Sequence, residues 1–364
     1  MGTPPWITSL KSHIWIFNVD RGLCVFIRTG LNQGIMYDFG SSDNFRPSDF
    51  LKEQIIPFLD KYEQHRIAQT IISHPHFDHI SNISCLFEPT MESSPFYAAL
   101  HTCPHDKTGS AKDECINWER IKNPAGSENV TKLYKNLYEN RKLPLQTICY
   151  KSARYIPKLE YGIYYVRPPV VDEIFPDDDQ EYANGLSLVL FYRHGNHTLL
   201  IPGDINPMAL SYILDEKEGL EKRYTVFNRE FSSTHPTWHE KTGNQPFLRD
   251  LLSELGLSVL IAPHHGLKSG YSNDLYSKIK GGKPGLVVIS EKRHLTDADG
   301  EVAPLYQSQD GSTGQYVYIE GKKEFHYSIS TRSGYHILIL FQGTGGQPEV
   351  YLEKDPNLLL KRIK

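Results

Sequence analysis

The chain has 364 residues, of which 39% are hydrophobic and 23% are charged, and its formal net charge is −4. This composition is that of an ordinary globular protein with a sizeable core, and the mild acidity argues against a surface that is coated with nucleic acid throughout. No apolar run approaches the roughly 18–20 residues that a helix needs to cross a bilayer, so we expect no membrane contact. The five cysteines are scattered and include no CxxC pair, which favours reduced thiols and a cytoplasmic protein.

Strands dominate the predicted secondary structure, with helices between them. In chain order, the patterns predict strands over 14–20, 24–30 and 34–40, a helix over 46–64, strands over 67–73, 186–193 and 197–204, a helix over 247–256, and strands over 257–263, 285–290, 314–320, 326–331 and 335–341. Alternating groups of strands and helices are typical of a layered α/β protein with two sheets and outer helices.

Two stretches interrupt this order, and we interpret them as insertions into a single domain of residues 1–364. The first, residues 86–175, is a candidate lid, and the second covers residues 211–245. Within the first, residues 131–167 carry eight Lys and Arg against two Glu, interleaved with tyrosines. Basic charge attracts phosphates and aromatic rings stack on bases, so this stretch favours single-stranded nucleic acid or a nucleotide as substrate. The alternative is an ordinary solvated lid whose tyrosines pack beneath it.

Four of the predicted strands are followed at once by acidic residues or histidines. Asp38 follows "GIMY", the run "HPHFDH" at 74–79 follows "TIIS", Asp204 follows "LLIPG", and "HH" at 264–265 follows "VLIAP". Strand ends can converge at one edge of a sheet, which is where open α/β sheets hold their ligands. Four such junctions in one chain predict a polar site at that edge.

The run "HPHFDH" has the spacing of a metal-binding segment. Pro75 favours an extended backbone at His74, and an extended run sends the side chains of His74 and His76 to the same side, where they can bind one metal. Asp78 and His79 then begin a helical segment and face a neighbouring position. An aspartate at a helix start is also a favoured cap, but capping alone leaves three closely spaced histidines unexplained.

The same run resembles the HxHxDH signature of the metallo-β-lactamase superfamily. More narrowly, "FNVDRGLCVFIRTGLNQGIMYDFG", "ANGLSLVLFYRHGNHTLLIPGDI", "LIAPHHGLKSGYSNDL" and "HYSISTRSGYHILI" resemble the hydrolase domain of the competence DNA-uptake channel family. The resemblance covers residues about 12–85, 182–210 and 246–342. It implies an αββα sandwich, interrupted by the two insertions, with a two-metal site at its open edge.

The resemblance also implies which residues bind metal. The six implied ligands are, in chain order, His74, His76, Asp78, His79, Asp204 and His265. The first two would hold one metal, and the next two would hold the other together with His265, while Asp204 would bridge both. His265 is favoured over its neighbour His264, which would act as a proton relay or as a hydrogen-bonding partner. Asp78 is in addition a candidate for orienting the nucleophile.

Three further positions are assigned with their alternatives. Asp38 would accept a hydrogen bond from a ligand histidine and so fix its tautomer, or it caps a turn. Asn184 stands where many members of the superfamily have one more histidine on the first metal; it is a candidate weak ligand or substrate contact, or else a turn residue. Lys268 is a candidate contact for a substrate phosphate, or else an ordinary surface lysine.

Two other features complete the pattern. The opening glycine motif of the competence family is altered to "VDRGLC", which leaves Asp20 without an assigned role. His194 and His197 flank the turn "HGN" and are predicted to face solvent.

The predicted chemistry is metal-dependent hydrolysis. Four histidines and two aspartates suit zinc, with manganese as the alternative, and the two metals are expected to hold a bridging hydroxide as nucleophile. The leading hypothesis is a phosphodiesterase or nuclease that acts on nucleic acid or on a nucleotide-like phosphodiester; protein partners are not indicated. A carbonyl hydrolase, either a lactonase or a thioesterase, could use the same dinuclear site. A metal-binding regulatory module without turnover is the third alternative.

Overall fold

Two mixed β-sheets form the centre of the structure, which is a computed structural model. It describes residues 11–30, 34–58, 67–87, 94–96, 99–102, 116–139, 159–166, 168–215, 227–232, 235–239, 247–291, 302–343 and 346–363. Residues 140–158 of the basic, tyrosine-rich stretch lie outside the described residues. So do residues 216–226 and 240–246, which include much of the second predicted insertion.

The strands follow one another along almost the whole chain. They are β1 (Lys11–Ile16), β2 (Val25–Arg28), β3 (Gly34–Tyr37), β4 (Ile67–Ile72), β5 (Ala99–Thr102), β6 (Leu159–Tyr165), β7 (Val189–His194), β8 (His197–Ile201), β9 (Phe227–Ser232), β10 (His235–His239), β11 (Val259–Ile261), β12 (Leu286–Ile289), β13 (Gln315–Ile319), β14 (Lys322–His326), β15 (Ser328–Ser330), β16 (His336–Gln342) and β17 (Glu349–Glu353).

Each sheet combines parallel and antiparallel pairs. Over the described residues, the first sheet has nine strands in the order β14-β13-β17-β16-β1-β2-β3-β4-β5, and the second has eight in the order β10-β9-β6-β7-β8-β11-β12-β15. Strand β3 is parallel to β4, and β8 is parallel to β11. The carboxyl ends of the strands within each of these pairs therefore lie at the same edge of their sheet.

Short helices connect the strands. They are α1 (Pro47–Phe50), α2 (Phe77–Ile80), α3 (Glu128–Glu139), α4 (Pro168–Ile174), α5 (Asp179–Gly185), α6 (Pro207–Leu214), α7 (Leu248–Leu255), α8 (Asn273–Lys278) and α9 (Pro356–Leu360). The helix predicted over 247–256 is confirmed as α7. The one predicted over 46–64 begins as α1 and continues as a π-helical segment, Leu51–Ile55, and a 3-10 turn, Ile56–Phe58, while residues 59–64 lie outside the described residues. Among the described helices, none combines the length and apolar character that crossing a membrane requires.

The alternation of side chains along the strands separates two hydrophobic clusters. One cluster joins both sheets, through residues such as Ile14 and Ile35 of the first sheet and Val259 and Val288 of the second. The intervening side chains on the same strands pack in the other cluster, which also contains Leu210 of α6 and other helical residues. Because successive residues of a strand point to opposite faces, strands such as β1 and β11 contribute to both clusters. The result is an α/β protein with two sheets and helices, as the sequence predicts.

The stretch that we interpret as the first insertion contributes to both sheets and to the core. Strand β5 pairs with β4 at the end of the first sheet, and β6 lies between β9 and β7 in the second. The side chains of Tyr134 and Tyr138 in α3 are buried. The described parts of residues 86–175 are therefore integrated with the sheets; whether they act as a lid stays a prediction.

The prediction that His194 and His197 face solvent is wrong. Both side chains are buried at the β7–β8 hairpin, where the backbone turns through Gly195 and Asn196. The Nδ1 of His194 lies 2.6 Å from the Oγ of Ser12 in the first sheet, and the ring of His197 packs on Phe341, also in the first sheet. Residues that are distant in the sequence cover this turn. The prediction of a surface position failed because it used only the residues of the hairpin itself.

Candidate metal centre

The polar residues that follow strands of the two sheets lie close together at the strand ends. The carbonyl of Ile71 in β4 accepts a hydrogen bond from the backbone N–H of Asp38, and the carbonyl of Gly203 accepts one from His264. A third bond, from Leu188 to the carbonyl of Ser73, joins the segment before β7 to the histidine-rich loop. The first two bonds fix loops within one sheet each, and the third joins a loop of the first sheet to a segment of the second.

Three of the residues assigned to the site have unusual backbone conformations. Asp38, His264 and His265 have φ values of 61°, 51° and 55°, which few residues other than glycine adopt. Such strained positions persist only where the surrounding structure enforces them, and they concentrate at functional sites.

Four of the predicted ligands form a compact group that can hold a metal ion. The ligand atoms of Asp78, His79, Asp204 and His265 all lie within 4.8 Å of one another. His79 Nε2 is 3.2 Å from Asp204 Oδ1, and His265 Nε2 is 3.3 Å from Asp78 Oδ2 and 3.4 Å from Asp204 Oδ2. We call these four residues the Asp204 cluster.

The histidines of the Asp204 cluster are fixed in one tautomer by their second nitrogen. The Nδ1–H of His79 donates to Asp38 Oδ2 over 2.7 Å, and the Nδ1–H of His265 donates to the carbonyl of Ser290 over 2.9 Å. In the neutral ring, Nε2 then carries a lone pair. Within the described residues these two buried Nε2 atoms have no hydrogen-bond partner, although carboxylate oxygens lie close. Lone pairs that face carboxylates across 3.2–3.4 Å are unfavourable unless a proton or a metal ion lies between them.

A relay through Ser73 orients His74 in the same way. The backbone N–H and the hydroxyl of Ser73 both donate to the carboxylate of Asp38, over 2.6 and 2.7 Å. Because the hydroxyl proton is used there, the contact of 3.0 Å between Ser73 Oγ and His74 Nδ1 has the imidazole as its donor. The Nε2 of His74 therefore also carries a lone pair, 3.1 Å from His76 Nδ1 and 3.9 Å from Asp204 Oδ2.

The spacing of these atoms fits coordination of a metal. A tetrahedral ion with bonds of about 2.0–2.1 Å separates neighbouring ligand atoms by about 3.3 Å. Several separations between candidate ligand atoms are near this value, from 3.1 Å for the pair His74 and His76 to 3.4 Å for the pair His265 and Asp204, whereas His74 and Asp204 are 3.9 Å apart. Imidazole nitrogens and carboxylate oxygens are also a donor set that divalent transition metals accept.

The electrostatics of the Asp204 cluster are those of a cation site. Burial opposes protonation of His265, but the carboxylates of Asp204 and Asp78 outweigh it and raise the pKa to about 9. The pKa of His79 is likewise raised, by Asp204 and Asp38 against burial. Burial alone would raise the pKa of Asp204, yet the two histidines hold it well below its ordinary value. Without a metal ion, the two histidines therefore hold protons that balance the carboxylates, a charge that a bound metal ion would otherwise supply.

The remaining predicted residues lie at different places around the cluster. His264 turns its Nδ1 to Ser269 Oγ at 3.1 Å, so the structure brings His265 and not His264 into the cluster. Asn184 is fully buried at the end of α5, and its side-chain amide has no hydrogen-bond partner within the described residues. Lys268 is exposed on the turn Lys268–Gly270, and no ion pair joins it to the cluster in the described part of the chain.

The structure adds three residues that the sequence did not single out. Ser73 and Ser290 orient ligand histidines, and Arg21 lies beside Asp78, with its Nε 3.8 Å from Asp78 Oδ2. Ser73 stands directly before the histidine-rich run, and this position next to His74 could have indicated a hydrogen bond to a candidate ligand. Ser290 and Arg21 come from segments far from that run, and only the folded chain shows their contacts.

A scan against protein-family models finds no match for this chain, and a search of the curated proteins finds none either.

Proposed function

We propose that this protein is a metal-dependent hydrolase of the metallo-β-lactamase type that cleaves phosphodiester bonds in nucleic acids or nucleotides. One observation carries the proposal: the Nε2 atoms of His74, His79 and His265 all point towards Asp204, at 3.2–3.9 Å from its carboxylate. Each of the three rings has its Nδ1–H engaged elsewhere, so three lone pairs and a carboxylate converge on one place.

The order of the helix and sheet layers is also part of this proposal. We infer an αββα sandwich, in which the sheets face each other across the cluster that they share and the helices cover the outer faces. The composition of the two clusters supports this arrangement, because alternate residues of one strand, such as Ile14 and Trp15, fall in different clusters.

Two divalent ions, most simply zinc with manganese as the alternative, would be held by different parts of the site. His74 and His76 would bind one, the Asp204 cluster would bind the other, and Asp204 would contact both. Bound ions would lower the pKa of a water molecule towards 7 and stabilise negative charge on the phosphoryl oxygens. Asp38 and Ser290 would hold the ligand imidazoles in the required tautomer.

His264 provides a group for proton transfer next to the ligands. Burial lowers its pKa, so the imidazole is neutral at pH 7 and can accept a proton. Its ring centroid lies 6.3 Å from that of His265 and its Nδ1 contacts Ser269. We assign it the role of moving a proton between the substrate and solvent, with Asp78 helping to orient the nucleophile.

The choice of a phosphodiester over a carboxylic ester rests on the competence-family motifs and on the basic, tyrosine-rich stretch of residues 131–167. A cytoplasmic setting is in keeping with the free thiols of Cys24 and Cys85, which are both buried.

The test is hydrolysis by the purified protein with Zn²⁺ or Mn²⁺ added. Substrates would be bis-p-nitrophenyl phosphate, single- and double-stranded DNA, RNA and cyclic dinucleotides. We compare the wild type with Asp204→Asn, which removes the shared carboxylate. Asp215→Asn is the matched control, because Asp215 lies at the end of α6 in an ion pair with Lys278 at 3.7 Å.

Cleavage that depends on added metal, persists in Asp215→Asn and falls by at least about 100-fold in Asp204→Asn is the expected result. If the protein binds two ions per chain and cleaves none of these substrates, the phosphodiesterase proposal is wrong. Lactones and thioesters would then be tested, and failure with those as well would leave a metal-binding module without turnover.

A further inference from the structure

Arg21 places a permanent positive charge beside the Asp204 cluster. It lies in the loop between β1 and β2, and its Nε is 3.8 Å from Asp78 Oδ2. Its side chain is 38% exposed, whereas the histidines of the cluster are buried. A group in this position faces both the ligands and the solvent from which a substrate arrives.

The loop that carries Arg21 is fixed to both halves of the site. At Gly22, which has φ of +139°, an added Cβ would come within 2.4 Å of the carbonyl oxygen of Asp78, so the two backbones are in direct contact. The hydroxyl of Ser290 donates to the carbonyl of Gly22 over 2.6 Å, and the carbonyl of the same serine accepts from His265. Arg21 is therefore held at a defined place relative to Asp78 and His265.

The ion pair with Asp78 does not by itself account for this arginine. Asp78 also lies 3.3 Å from His265 Nε2, so its carboxylate belongs to the Asp204 cluster as well as to the pair with Arg21. A partly exposed pair with an N–O distance of 3.8 Å contributes little to the stability of a protein. Near a site for hydrolysis, in contrast, a guanidinium is suited to an anionic substrate, because its planar set of N–H donors matches the oxygens of a phosphate.

We propose that Arg21 binds a non-bridging phosphoryl oxygen of the substrate and thereby selects anionic phosphodiesters over neutral esters. The inference rests on the proposed function and names its substrate class. A phosphodiester retains one negative charge on its non-bridging oxygens at pH 7, whereas a lactone, a thioester or a phosphotriester has none. The same cation would also retain the phosphate monoester produced by cleavage.

The experiment compares two substrates that share a leaving group. Bis-p-nitrophenyl phosphate carries the negative charge, and diethyl p-nitrophenyl phosphate is neutral at the same phosphorus centre. The variants are Arg21→Gln, which removes the charge, and Arg21→Lys, which keeps it. Arg249→Gln is the control, because it removes an arginine on α7 that pairs with Asp250. Metal content and melting temperature are measured for every variant.

We expect Arg21→Gln to lower kcat/KM for the charged diester by about 10- to 100-fold and to change that for the triester by less than about threefold. Arg21→Lys should recover part of the loss, and Arg249→Gln should match the wild type. An equal loss on both substrates, or a loss of bound metal, would show that Arg21 acts through Asp78 and would overturn the proposal. No change with either substrate would overturn it as well.

Phosphate binding separates this inference from the proposed function. The affinity of the metal-loaded protein for inorganic phosphate, measured by titration calorimetry, should fall about tenfold in Arg21→Gln and stay unchanged in Arg249→Gln. If the wild type hydrolyses neither ester, the proposed function fails, yet this measurement still decides the role of Arg21. Equal affinities of the wild type and Arg21→Gln for phosphate would refute that role whatever the catalytic result.

Discussion

Asp38 determines the orientation of two histidines through one buried carboxylate. It accepts directly from His79, and it accepts from the hydroxyl of Ser73, which in turn accepts from His74. The family resemblance implied a hydrogen bond from Asp38 to a ligand histidine, with a turn cap as the alternative. Its connection to a second histidine was not predictable, because the direction of a serine proton depends on neighbours that only the folded chain brings together.

Asp38→Asn should therefore weaken metal binding at both parts of the site. An asparagine amide at this position offers a donor where His79 needs an acceptor, so the favoured tautomer is lost. We expect the affinity for Zn²⁺, measured by competition with a chromogenic chelator, to fall by about 10- to 100-fold. Asp20→Asn is the control, because Asp20 also has a positive φ, 57°, and lies in the neighbouring loop. Equal losses in the two variants would contradict the role of Asp38.

His265 should make the stability of the metal-free protein depend on pH. Its pKa is raised to about 9 by Asp204 and Asp78 against the effect of burial, from an ordinary value of 6.5. A raised pKa in the folded state stabilises the protein fully below pH 6.5, and this stabilisation is lost as the pH rises through about 9.

The corresponding measurement is urea unfolding in the presence of EDTA at several pH values from 6 to 10. The free energy of unfolding should fall over this range in the wild type and fall less in His265→Gln, which cannot gain the proton. Parallel curves for the two proteins would show that His265 is not protonated in the metal-free state.

At the scale of elements, the loop between β1 and β2 depends on the close approach of two backbones. Gly22→Ala would place a methyl group 2.4 Å from the carbonyl oxygen of Asp78. Gly126→Ala is the matched control, because Gly126 also has a positive φ, +91°, but nothing lies within 4 Å of an added Cβ. Gly126→Ala should lower the free energy of unfolding by about 1–2 kcal/mol because of its backbone conformation. Gly22→Ala should lower it by about 1–3 kcal/mol more, because of the close contact.

Urea unfolding of the two glycine variants measures this difference in the free energy of unfolding. Metal affinity should fall in Gly22→Ala alone, because Asp78 must move to make room. Similar free energies and affinities in both variants would mean that the loop adjusts without disturbing Asp78.

The elements that were predictable from the sequence are those with local signals. Apolar runs such as "TLLI" and "VLI" predict β8 and β11, and the polar residues after them mark the edge that holds the site. The burial of His194 was not predictable, because Ser12 approaches it from 182 residues away. The position of β6 between β9 and β7 depends on pairing that no local pattern encodes.

At the scale of the whole molecule, the site joins the two sheets. His79 and Asp78 follow a strand of the first sheet, whereas Asp204 and His265 follow strands of the second. The sequence predicted two sheets and the residues that would meet, since strand ends of this kind converge. It could not predict which atoms meet, because that depends on how the two sheets pack against each other and on the strained turns at His264 and His265.

Metal binding should consequently stabilise the whole protein. An ion bound only by the folded state at 100 times its dissociation constant adds about 2.7 kcal/mol to the free energy of unfolding, which corresponds to a rise of about 5 °C in the melting temperature. Differential scanning fluorimetry with and without Zn²⁺ should show this rise in the wild type and in Asp215→Asn. A comparable rise in Asp204→Asn would place the bound metal elsewhere.

The position of β1 has a consequence for the timing of protein synthesis. Trp15 of β1 pairs with Leu338 of β16, 323 residues further along the chain. At about 5–20 residues per second, a ribosome needs roughly 16–65 s to make that partner after β1 has emerged. During this interval one side of β1 has no neighbouring strand. The histidines at 74–79 are likewise made before their partners Asp204 and His265. The group that could hold a metal ion is therefore assembled only after residue 265 has been made, late in the synthesis of the chain.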